Sequence, residues 1–154
     1  MSPTRRRVVI LGTLLLFVPG ILLAQSNDQI DRLLSQEPAT VGSAAYLVLT
    51  AAEIIAEDAT EAQAVSVAQE RGVISPDARP GDTITFGVFA YLLTDSFGIP
   101  GGLMYRLIPG PRYAAREVVY QGWSRLRRAT GEEMSGDAVA RIMSVYLNQE
   151  GGSR

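Results

Sequence analysis

The sequence holds no cysteine, no histidine and no lysine. Without cysteine there is no disulfide framework, no lipid-attachment cysteine and no thiol nucleophile. Without histidine the commonest general base and metal ligand is missing, which excludes Ser-His-Asp, Cys-His and His-based zinc chemistry. Every basic side chain is a guanidinium. Charged residues make up only 19% of the chain against 47% apolar, a balance that fits a globular domain rather than a disordered one.

Long hydrophobic runs are also missing, with one exception. Met1 to Arg7 is short and basic, and Val8 to Leu23 is almost wholly apolar, broken by Gly12, Thr13, Pro19 and Gly20. Small or polar residues follow at Ala24-Gln25-Ser26. This order predicts a secretory signal peptide over residues 1–25, cleaved after Ala24 or Gln25. Leu22 or Leu23 would then stand where a small residue is preferred, so an uncleaved membrane anchor stays open as the alternative. A span needs about twenty apolar residues, and this run is slightly shorter. Either way the chain is expected to be exported, to the periplasm or cell envelope. Loss of Arg5, Arg6 and Arg7 leaves 11 arginines against 16 acidic residues, a net charge of −5. That surplus argues against nucleic acid as a partner, because such binding needs basic surface to displace counterions.

The remainder predicts an all-α fold over residues 26–148, followed by a disordered tail over 149–154. Asn27 to Gln36 is amphipathic, with Asn27 as N-cap and Pro38 as stop. Val41 to Ala56 is apolar enough to be the most buried helix. Thr60 caps a helix that ends at Gly72, a natural left-handed C-terminal residue. Thr85 caps the next, whose Phe86, Phe89, Ala90, Leu93 and Phe97 fall on one face. Tyr113 to Leu126 places Ala115, Val118, Val119 and Gly122 together. Ser135 opens the last helix, with Val139, Ile142, Met143 and Tyr146 inward. No stretch alternates with period two.

Two stretches share one plan. Gly72 maps to Gly122, Gly81-Asp82 to Gly131-Glu132, Ile84 to Met134, Thr85 to Ser135 and Ala90 to Ala140. A partial third copy aligns Thr40-Val41-Gly42 with Thr85-Phe86-Gly87. The chain reads as a compact helical-repeat domain of about five or six helices in two and a half units.

Ala64, Ala68, Gly72-Val73-Ile74-Ser75, Ile84-Thr85 and Phe89-Ala90 resemble the surface-layer homology (SLH) domain. That family packs helix–loop–helix units, often three together, and holds proteins on cell-wall polymers. The resemblance covers about Thr40 to Leu147 and implies a non-catalytic, wall-associated anchor or adaptor. In the family the Thr precedes Arg-Ala-Glu, whose Arg helps hold the anionic glycan. Those positions are Phe86-Gly87-Val88, Val41-Gly42-Ser43 and Gly136-Asp137-Ala138 here, so no copy keeps the Arg. The alternative is a periplasmic protein-interaction scaffold with no glycan binding. The expected partner is a cell-wall polymer or another envelope protein, with a membrane involved only if the signal segment is uncleaved. No enzyme activity, cofactor or metal is expected.

Two candidate sites stand out. Trp123, Arg125, Arg127 and Arg128 set one indole beside three guanidiniums, groups that stack on sugars and grip acidic polymers. The plainer alternative is a core tryptophan with arginines at a negative helix end. Leu103, Met104, Tyr105, Arg106, Leu107 and Ile108 form an apolar connector between Gly98 and Pro111. It either docks a partner or covers the groove between units. Asp77, Asp82 and Asp95 lack the density of a calcium loop and read as turn aspartates. Glu132, Glu133 and Asp137 read as helix N-terminal acids rather than a glycosidase pair.

Overall fold

The computed structural model describes residues 28–124 and 129–151, which form seven helices with no β-strand among the described residues. α1 covers residues 28–34. It is followed by α2 (Val41–Ala51), α3 (Glu61–Glu70), α4 (Phe86–Ser96), α5 (Leu103–Leu107), α6 (Pro111–Tyr120) and α7 (Gly136–Gly151). The all-α fold is as the sequence predicts. The signal segment, the Asn27 cap and Arg125, Arg127 and Arg128 lie outside the described residues.

Three backbone segments meet in a closed ring at the centre. Ile84 N–H donates to the Ala39 carbonyl at 3.0 Å, Met134 N–H to Ile84 at 3.1 Å, and Ala39 N–H to Met134 at 2.7 Å. All three residues are fully buried, so each polar group finds its partner within the ring and none is left without water or protein. α2, α4 and α7 each begin two residues after a ring residue. Their first amides are satisfied by the neighbouring segment: Val41 by Asp82 at 2.7 Å, Phe86 by Glu132 at 2.8 Å, and Gly136 by Gln36 at 2.9 Å.

This pairing changes the role of Thr85. It sits at the N-cap of α4, but its side chain makes no capping bond. The orphan amides of that helix go instead to Glu132 and, from Gly87, to Thr130 at 2.8 Å. Thr60 does cap α3, and Gln63 returns the bond in a capping box.

Four helices end in the same way. Glu53, Gly72, Gly98 and Gly122 have φ of 57°, 71°, 60° and 76°. Each N–H bonds back three residues, and the next residue bonds back five, as in Ile54 to Leu49 and Trp123 to Val118. This is the Schellman arrangement, whose second residue turns its side chain onto the helix it has just left. It ends α2 at Ala51 rather than at the expected Ala56, and α6 at Tyr120 rather than Leu126.

The core lies between α2, α4 and α7, with α3 packed on α2 and α6 on α4. Phe86, Phe89, Leu92 and Leu93 of α4 are fully enclosed, as are Val48 and Leu49 of α2. Burying one such side chain stabilises the fold by about 1.5–3 kcal/mol. Arg71, closing α3, pairs with Asp95 of α4 at 2.7 Å. Both are partly exposed, so the pair is worth only about 0.2–1 kcal/mol. α7 runs through Gly151, so residues 149–151 are helical where a disordered tail is expected. Gln149 there accepts a hydrogen bond from the Trp123 indole at 2.6 Å, which ties this end of the helix to the body.

Candidate functional site: the α5–α6 surface

α5 is tied to the body by its polar atoms. Tyr105 lies against Gly101, where a Cβ would collide with the ring. The Tyr105 hydroxyl shares a hydrogen bond with Thr94 Oγ1 at 2.9 Å, and its ring meets Tyr91 edge-on at 6.3 Å. Gly102 N–H, just before α5, donates to Glu117 Oε2 of α6 at 3.0 Å. Glu117 is buried, and its other oxygen accepts from Gln121 at 2.8 Å. Burial raises the Tyr105 pKa above 10.0; the bond to Thr94 opposes this, while Tyr91, Asp95 and Glu117 add to it.

These bonds leave the apolar side chains outside. No residue of α5 is buried. Leu103 is 72% exposed and Leu107 66%, and Met104 and Ile108 are exposed beside them. Alongside runs a groove of about 980 Å³ between α5 and the Ala129–Thr130 turn. One face of α6 lines it, through Arg112, Ala115, Arg116, Val119 and Tyr120, a spacing that brings these side chains into one stripe. Tyr120 is 84% exposed. The Arg116 guanidinium stands 5.7 Å from the centre of the Tyr113 ring. Arg106, Arg112 and Arg116 are in no ion pair among the described residues. The surface offers aliphatic contact bordered by guanidinium donors.

The six connector residues therefore divide. Leu103, Met104, Leu107 and Ile108 form the exposed face with Arg106, while Tyr105 is half-buried and positions the helix. Trp123 is different. At 7% exposure its ring lies 4.9 Å from Tyr146 at 72°, and its N–H is taken by Gln149. The indole offers no open face for a sugar, so it packs as a core residue. Its three neighbouring arginines lie outside the described residues. The structure does not bring Trp123 together with α5.

Sequence reasoning missed Arg112, Tyr113, Arg116 and Tyr120. Of the inner face expected for that helix, Ala115 and Val118 are buried and Val119 is partly buried against the core, and Ala114 and Glu117 are buried as well. The signal was present in the spacing of Arg112 and Arg116, one turn apart, with Tyr113 and Tyr120 two turns apart.

Three of the acidic candidates bond within their own turn or helix, and Asp95 pairs with Arg71. Asp82 accepts from the Arg79 amide at 2.8 Å, Glu132 from the Ala129 amide at 3.3 Å, and Asp137 pairs with Arg141. Among the described residues no cluster of carboxylates could hold a metal ion. No helix among them is long and apolar enough to cross a membrane.

Comparison with known proteins adds no relative. The chain matches no family model, no curated protein and no solved structure.

Proposed function

We propose that the chain is an exported, non-catalytic, SLH-like adaptor of the cell envelope that works by docking through its α5–α6 surface. The observation that carries this reading is the exposure of Leu103, Met104, Leu107, Ile108 and Tyr120 on adjoining elements. Adjoining exposed aliphatic side chains rimmed by polar residues favour an interaction site. The ring at Ala39, Ile84 and Met134 supports the SLH-like reading, since three corresponding segments bond in turn. The mechanism is mechanical: a rigid helical body holds α5 by Tyr105 and Gly102 and presents its aliphatic side chains outward.

The test is fractionation of cells producing the wild type and a Leu103→Glu/Leu107→Glu variant. Association with the envelope fraction, lost in the variant while its helical circular dichroism is kept, supports the reading. Equal association of both proteins overturns it.

A second reading keeps the wall polymer but moves its site. Tyr113 and Tyr120 are aromatic faces in the groove, and Arg112 and Arg116 stand beside them, the chemistry that an acidic polysaccharide needs. Sedimentation with purified sacculi at low and high salt tests it. Salt-sensitive pelleting lost in Tyr120→Ala and Arg116→Ala favours the wall; no pelleting at either salt removes it.

A further inference from the structure

The geometry points to an anionic lipid bilayer as the surface that α5 docks on, an inference that rests on the adaptor reading above and names its partner. Leu103, Met104, Leu107 and Ile108 are all exposed within one stretch of six residues, and none of α5 is buried. Aliphatic side chains of this kind enter the boundary between headgroups and acyl chains, with arginines at phosphate level. Arg106 belongs to the same helix, and Arg112 and Arg116 stand on the adjoining face of α6. All three are in no ion pair among the described residues, and a guanidinium fork matches a phosphodiester by two parallel hydrogen bonds. Tyr120, amphipathic and exposed, suits the headgroup layer.

Charge decides among the occupants. The chain as a whole is acidic, yet among the described residues the only carboxylate lining the groove, Glu117, is buried and occupied by Gly102 and Gln121. A second copy paired through the same surface would bring three arginines against three and be repelled. The arginines are complementary to an anionic partner. Between an acidic protein and an acidic membrane, the residue types favour the membrane, because leucine is under-represented at the energetic centres of protein interfaces. A bilayer rewards aliphatic burial without demanding a complementary shape.

The chain has no cysteine, so one introduced thiol gives a unique label. Leu107→Cys in the full chain would carry an environment-sensitive nitrobenzoxadiazole dye, and Ser66→Cys, exposed on α3, would serve as control. The probe is vesicles of phosphatidylglycerol and phosphatidylcholine in equal parts, against pure phosphatidylcholine. The label at 107 should shift to the blue with the anionic vesicles and be quenched by brominated acyl chains, while the label at 66 does neither. Because the readout is positional, insertion of the N-terminal segment does not imitate it. Adding Arg106→Gln, Arg112→Gln and Arg116→Gln should weaken the response about a hundredfold at low salt, since each arginine near an anionic surface adds about 1 kcal/mol. No shift at 107 with anionic vesicles overturns the inference, as does an equal shift with neutral ones. If the label stays in water while Leu103→Glu/Leu107→Glu still releases the chain from the envelope, the docking surface stands and its partner is a protein or wall polymer.

Discussion

The carbonyl oxygen of Leu33 occupies the space that a Cβ at Gly136 would need. α1 therefore ends against the start of α7, and Gly136 N–H bonds to Gln36 just beyond it. Gly87 and Gly42 make the same kind of approach, to Thr130 and Pro80 carbonyl oxygens at 2.9 Å from a would-be Cβ.

Gly136→Ala should destabilise the fold by about 1–3 kcal/mol, because the obstacle is backbone and cannot rotate away. The sign is the diagnostic: in an open helix the same change stabilises by up to about 1 kcal/mol. Urea denaturation of the purified chain measures it. A neutral or positive result would mean that α1 does not dock as described.

Gln149→Ala should leave the buried Trp123 indole N–H without a partner, at a cost of about 1–3 kcal/mol. Trp123 is the one tryptophan in the chain. Its fluorescence should therefore shift to the red as the end of α7 loosens.

Glu53→Gly should raise stability by up to about 1 kcal/mol. Glu53 is the one non-glycine among the described residues with positive φ, at 57°. A side chain there strains against the following carbonyl, a cost of about 1–2 kcal/mol, part of which glycine's greater freedom in the unfolded chain takes back. Thermal melting shows the gain.

Stability should fall above about pH 10 as Tyr105 and Tyr91 titrate. Burial raises both pKa values in the folded chain. The unfolded state therefore loses its protons first, so the contribution is complete below pH 10 and is lost as pH rises toward the folded values. Tyr105→Phe should flatten this slope while lowering stability throughout, since it also removes the bond to Thr94. Urea midpoints from pH 8 to 11 separate the two effects.

Much of the helical layout was legible locally. Phe86, Phe89, Ala90 and Leu93 announced the inner face of α4 by their spacing, and all four are buried. Gly72 announced a helix end because a left-handed residue completes the turn there, whereas Gly122 ends its helix in the same way inside a stretch expected to be helical as far as Leu126. The fate of Trp123 follows the plainer of its two readings, a core tryptophan. Trp123 follows Gly122 as Val73 follows Gly72, and both residues turn inward. The candidate surface was legible in part, since an aliphatic run between Gly98 and Pro111 stands out. Whether it covered the core or faced outward was not.

By itself, then, the sequence determined the all-α class, the inner face of α4, the end of α3 at Gly72 and the exclusion of thiol and imidazole chemistry, because these depend on composition or on residues within a few positions of one another. The tertiary structure alone decided the ring at Ala39, Ile84 and Met134, the backbone pairing that replaced the Thr85 cap, and the orientation of α5. Those rest on contacts between residues 11 to 95 positions apart. Tyr105 looked like one more apolar residue in its run, yet its hydroxyl found Thr94. That bond holds α5 with its leucines turned outward.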